Sequence, residues 1–184
     1  MKKLLLVSHC LLNTAAKVRS FQTEEMAAEE ELRLRVLRCA LEDGVQLIQL
    51  PCMEFIQYGA RRWGHTKEQF DTPFFRQRCR EALTPVVLEL EEYLSLPEEV
   101  QVLGVLGIDG SPSCGVKYTC SGPWGGEFSG REDLKDTLAA CALAPGMGVM
   151  MAVLTQMLRE RGMDLPVEGL FAPEPQRAMG LLGR

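Results

Sequence analysis

Blocks of apolar residues alternate along this chain with longer stretches of mixed polarity. Leu4, Leu5, Leu6 and Val7 form an unbroken apolar run within 3–9, the first predicted strand. A polar stretch, 13–23, leads to a predicted helix over 24–42. There Leu34, Val36, Leu37, Ala40 and Leu41 recur at helical spacing between Arg33, Arg35 and Arg38. Asp43-Gly44 ends that helix, because glycine supplies a left-handed cap. Residues 45–50 form a second short apolar strand. A second helical region runs over 72–94; Pro73 fits its first turn, and Pro85 is expected to kink or divide it. Residues 102–108 and 167–171 read as the third and fourth strands. Helices are predicted between them over 132–143 and 147–161, and a short one closes the chain over 175–182.

Strands separated by helices imply right-handed crossovers and a mainly parallel sheet. Near-continuous apolar strands fit burial on both faces. The expected fold is therefore α/β: a Rossmann-like three-layer domain over 1–184, with a mainly parallel sheet of about four strands. In such a sheet ligands bind along the rim at the carboxyl ends of the strands. Two long loops, 52–71 and 109–130, leave that rim, and long ordered loops are often binding elements.

Composition narrows the setting. At 46% hydrophobic and 24% charged, the chain reads as an ordinary globular protein. A net charge of −5 argues against a surface for nucleic-acid polymers. No apolar run approaches the roughly 20 residues that span a bilayer, so no membrane association is expected. The run Leu4 to Val7 is also too short for a secretory signal core, and His9 is a poor residue before a cleavage site. Seven cysteines at scattered spacing do not resemble a secreted disulfide framework. A reducing cytoplasm with metal-binding or reactive thiols fits better, for a monomer or homodimer.

Three of those cysteines, Cys10, Cys52 and Cys114, fall just beyond the first three strands. Three soft thiolates on one rim suggest a metal or iron–sulfur centre with three protein ligands and room for substrate. Neither a zinc-ribbon cysteine pair nor a ferredoxin cysteine run is present, so this reading rests on convergence alone. The alternative is that they are small buried packing residues, as free cysteine often is. Cys39, Cys79 and Cys141 fall in predicted helices and read as packing. Cys120 shares the third loop with Cys114: it could be a fourth ligand, a nearby thiol or chemically inert. A fourth ligand would leave no substrate position.

Other residues near these cysteines can carry chemistry. Glu54, two positions after Cys52, can position water or shuttle a proton; it could equally cap a helix. Ser111 and Ser113 flank Pro112 just before Cys114. Their hydroxyls can bind substrate or relay a proton, or simply form the turn. His9 can donate to substrate or satisfy a strand-end carbonyl. Arg61, Arg62 and Trp63, with Tyr118, Trp124 and Phe128, offer the cation and aromatic faces that suit a flat heterocycle, or pack their loops. His65 reads as a surface loop residue.

The blocks Val7-Ser8-His9-Cys10-Leu11-Leu12, Pro51-Cys52-Met53-Glu54 and Ser111-Pro112-Ser113-Cys114-Gly115 resemble, in order and spacing, the 2-thiouracil desulfidase family. Arg62-Trp63-Gly64 and Trp124-Gly125-Gly126-Glu127 resemble a divergent branch of it. The resemblance implies a [4Fe-4S] cluster held by Cys10, Cys52 and Cys114, its fourth iron open to the sulfur of a thiocarbonyl compound. It also implies Glu54 and Ser111 as catalytic residues. Substrate contacts are expected from His9, Ser113, Arg62 and Trp63. The chain departs from the family pattern at Met53, where proline is usual, and at His9 and Asn13, where small residues are usual. The expected function is a desulfidase releasing hydrosulfide from a small thiolated substrate such as a thiolated nucleobase. The rivals are a non-catalytic iron–sulfur or sulfur-carrier module, which Cys120 as fourth ligand would favour, and a metal-free cysteine-nucleophile enzyme.

Overall fold

Leu5, Leu6 and Val7 are fully buried, as a strand covered on both faces requires. The computed structural model describes residues 1–184. In chain order, β1 (Lys2–Val7) is followed by α1 (His9–Leu12), a single tight turn (Thr14–Ala16), α2 (Thr23–Glu42), β2 (Val45–Gln49), α3 (Met53–Tyr58), α4 (Lys67–Phe70) and α5 (Pro73–Leu94). Then come β3 (Val100–Ile108), β4 (Tyr118–Ser121), α6 (Leu134–Ala139), β5 (Ala142–Pro145), α7 (Val149–Glu160), β6 (Val167–Leu170) and α8 (Pro175–Gly180). Four parallel strands form the sheet in the order β2-β1-β3-β6. The fold is α/β with helices on both faces, the Rossmann-like three-layer arrangement.

Strand alternation splits the core in two. Leu6 and Val105 face a cluster with Phe75, Leu83, Met150 and Leu154 of α5 and α7. Leu5, Val7 and Leu106 face the other, with Leu32, Val36 and Ala40 of α2 and Ala178 and Met179 of α8. The buried stripe of α2 is thus Leu32-Val36-Ala40. Leu34 and Leu41, expected in that stripe, are exposed. Thr72 caps α5 by accepting from the Phe75 N–H at 3.2 Å, with Pro73 in the first turn. Pro85 does not divide α5: Phe75, Cys79, Leu83, Val87 and Leu90 are buried along its whole length and hold one continuous helix.

The region after β3 differs from the sequence reading. The helix predicted over 132–143 is only Leu134–Ala139, and Ala142–Pro145 pairs instead with Tyr118–Ser121 as an antiparallel hairpin. Cys141 therefore stands between helix and strand, not within a helix. The pairing partner lies far back in sequence, so helical spacing alone could not reveal it. No helix is long and apolar enough to cross a membrane.

Candidate functional site

The parallel strands β1, β2 and β3 end on one rim, and a cysteine follows each. Cys10 sits in the first turn of α1, Cys52 is the residue immediately before α3, and Cys114 lies in the turn after β3. That last turn folds back onto its own strand: the Ile108 N–H donates to the Cys114 carbonyl at 3.0 Å, and the Gly115 N–H to the Ser111 carbonyl at 3.0 Å.

Asp109 fixes the turn from beneath. Its Oδ1 accepts from the N–H groups of Val116 (2.7 Å), Lys117 (2.9 Å) and Tyr118 (3.2 Å). Its Oδ2 accepts from Arg177 at 2.6 Å, and the Asp109 side chain is fully buried. Gly169 makes room for it, since a Cβ there would stand 2.3 Å from the Asp109 carboxyl carbon.

The three thiols influence one another. Contact with Cys52 is the largest cause holding the Cys10 thiol far above its ordinary range; burial and the nearby Cys52 and Cys114 sulfurs add to it, and Lys17 opposes. The same contact is the largest cause lowering the Cys52 thiol, helped by the Phe55 N–H and Arg62 against burial. The pair thus favours a single thiolate, with one proton shared between Cys10 and Cys52. Burial pushes the Cys114 thiol up to about 12, the charge of Glu54 adding and the hydroxyls of Ser8 and Ser113 opposing.

Those two serines are fully buried, and neither hydroxyl reaches a hydrogen-bond partner at normal geometry. Both nevertheless lie beside the Cys114 sulfur. Leaving a buried donor unsatisfied costs about 1–3 kcal/mol. No group of three or more His, Cys, Asp or Glu side chains is arranged to hold a metal ion. The donors present are three thiols and two unpartnered hydroxyls, the chemistry that a sulfur-rich group would use.

Glu54 meets Ser111 beside these thiols. The Ser111 hydroxyl donates to Glu54 Oε1 at 3.2 Å and accepts from the N–H groups of Cys114 (2.9 Å) and Ser113 (3.2 Å). Met53 is buried in the core, and Glu54, next along α3, is buried with its carboxylate turned toward the third loop. The substitution of Met53 for proline leaves the two catalytic candidates in contact. Arg62 is turned inward, its side chain 2% exposed. It donates to Glu54 Oε2 at 3.2 Å, to the Gly59 carbonyl at 3.1 Å and to the Ala16 carbonyl at 2.7 Å.

The remaining candidates are spread around this centre. Trp63 is 67% exposed and lies 5.6 Å from the Phe128 ring, which lies 5.6 Å from Trp124. Tyr118 is not part of that group: it packs on Phe171 and donates to Glu174 at 2.9 Å. His9 opens α1, half-buried, and its carbonyl accepts from Gln49 at 3.3 Å. His65 is half-buried, not a free surface residue, with ring centroids 4.7 Å from Tyr58 and 4.8 Å from Phe70. The thiol of Cys120 is raised first by burial and then by the neighbouring Cys141 and Glu68, with none of the three rim cysteines among the causes. Sequence reasoning missed Ser8, Asp109 and Arg177. An Asp-Gly pair reads as turn chemistry, and nothing local marks its carboxylate as the anchor of a loop.

The family described as "Putative 2-thiouracil desulfurase" matches residues 1–129. The chain belongs to this family. The matched span contains Cys10, Cys52, Cys114, Glu54 and Ser111, and ends before Cys141. The chain is also similar to "Uncharacterized protein MJ0003" of Methanocaldococcus jannaschii, 33% identical over 115 residues, which cover 62% of this chain and 69% of that protein. No solved structure matches.

Proposed function

We propose that this chain is an iron–sulfur-dependent desulfidase that converts a small thiocarbonyl compound to the carbonyl and releases hydrosulfide. The observation that carries the reading is the Ser111–Glu54 hydrogen bond, made beside three thiols that converge from three strand ends. Cys10, Cys52 and Cys114 would hold a [4Fe-4S] cluster. When bound through three anchors, such a cluster supplies an open iron, a Lewis acid for sulfur.

The residues of this chain then have distinct tasks. Ser111 is oriented by the two N–H groups that donate to it and by the carboxylate that receives its proton. Those N–H donors also stabilise negative charge on Oγ, as donors at an oxyanion do. Glu54 takes a proton from water or from Ser111 and returns it to the leaving sulfur. Arg62 keeps Glu54 in place and compensates its charge. In the net reaction, water oxygen replaces sulfur at carbon. Sulfur leaves as hydrosulfide with one proton, and a second proton goes to solvent. Electrons balance without an external donor.

The lowered Cys52 thiol also suits a metal-free nucleophile, and that is the competing reading. Cys120 as a fourth ligand is not favoured, because it lies on β4 with Cys141 and Glu68 as its neighbours. The test is an anaerobic incubation with 2-thiouracil and simple thioamides, measuring sulfide and the carbonyl product. Release by iron-reconstituted protein and not by iron-free protein supports the proposal. Equal release by both removes the cluster from the chemistry and favours the metal-free thiol reading.

A further inference from the structure

Cys120 and Cys141 belong to no part of the rim site. Cys120 lies on β4, and Cys141 immediately precedes β5, its antiparallel partner. The register sets Cys120 against Leu143 and Ser121 against Ala142, so the next step outward sets Gly122 against Cys141. Side chains two apart on a strand share a face, which places Cys120 and the side-chain position of Gly122 together. Gly122 has no side chain, and Cys141 fills that space. A Cβ at Gly122 would meet the Cys141 Cα at 2.7 Å and its Sγ at 2.9 Å.

That close seating matters for reach. Diagonal neighbours in a regular ladder stand about 7–8 Å apart, and a disulfide spans Cα atoms about 4.4–6.8 Å apart. At Gly122 the Cys141 side chain settles onto the face of β4 that also carries Cys120. Burial is the first cause raising the Cys120 thiol, and Cys141 is the second. Both are free thiols and half-buried, and the Cys141 thiol donates to the Thr137 carbonyl at 3.5 Å. The hairpin is braced here: Glu68 accepts from the Ser121 hydroxyl and from the Gly122 N–H at 3.1 Å.

We propose that Cys120 and Cys141 are a reversible dithiol–disulfide pair, oxidised by exchange with a small disulfide. One thiolate attacks a sulfur of the reagent, whose other half leaves as a thiolate and takes up the proton. The second cysteine then displaces the remaining half. One S–S bond is exchanged for another, and two cysteine protons end on the two released thiols. The crosslink closes the segment 121–140, which carries Trp124 and Phe128, the rings that meet Trp63. This site goes beyond the proposed desulfidase activity and requires neither cluster nor substrate.

The test uses the full-length protein, reduced and then incubated anaerobically with oxidised glutathione. Free thiols are alkylated, and the unreduced digest is mapped by mass spectrometry. The expected result is a Cys120–Cys141 linked peptide that dithiothreitol removes. Cys141→Ser should lose it and leave Cys120 as a glutathione adduct; Cys120→Ser should do the converse. Separate adducts on both cysteines of the wild type, or preferential linkage of either one to a rim cysteine, would overturn the proposal.

Discussion

The Ser111 hydroxyl donates to Glu54 Oε1 at 3.2 Å, joining the loop that carries Cys114 to the helix that follows Cys52. If this contact manages protons, Glu54→Gln should leave fold and iron content unchanged and slow sulfide release by about 10²–10⁴-fold. The amide is nearly isosteric, so a loss of that size reflects proton chemistry and not packing. Ser111→Ala should also reduce iron retention, because the N–H groups of Cys114 and Ser113 lose their acceptor. Normal turnover in Glu54→Gln would remove Glu54 from the mechanism.

Asp109 holds the turn on which Cys114 and Ser111 sit. Asp109→Ala leaves three N–H groups without their acceptor, while Arg177 keeps Glu168 at 2.9 Å and Glu174 at 3.5 Å. Leaving buried donors unsatisfied costs about 1–3 kcal/mol, to be read from urea unfolding of the iron-free protein. Asp109→Asn should lose less, since its carboxamide oxygen can still accept. A change below about 1 kcal/mol in Asp109→Ala would place the turn's stability elsewhere.

How much of this was legible beforehand depends on how local the signal is. The unbroken apolar run at Leu4 to Val7 and those of the second and third strands fixed the parallel sheet and where each cysteine would fall. The Cys-Met-Glu and Ser-Pro-Ser-Cys-Gly blocks brought Glu54 and Ser111 forward as candidates, although their hydrogen bond crosses 57 positions. The β4–β5 hairpin was not legible: Thr119 and Cys120 carry no clear strand pattern, and their partner begins at Ala142. Arg62 reads as half of a basic–aromatic surface beside Trp63. Only tertiary packing turns it inward to Glu54 and leaves Trp63 outside.

His65 supplies a pH-dependent term. Burial against Tyr58 and Phe70 is the largest cause holding its imidazole below the ordinary value, with Glu54 and the Trp63 backbone opposing. The unfolded chain takes up a proton near its ordinary value of about 6.5, while the folded chain resists it. Stability is therefore fully present above about pH 6.5 and is lost as pH falls toward the depressed folded value. His65→Phe keeps an aromatic ring in the stack and should flatten the fall in melting temperature between about pH 7 and pH 5. An unchanged fall in that variant would assign the slope to other groups.

The central claim is that three rim cysteines anchor one iron–sulfur cluster, and iron content after anaerobic reconstitution tests it most directly. Wild type, Cys39→Ala and Cys120→Ala are expected to hold about four irons per chain, with the matching acid-labile sulfide. Cys10→Ala, Cys52→Ala and Cys114→Ala are expected to lose most of it while remaining folded. Equal iron in all six proteins, or none in the wild type, would contradict the account.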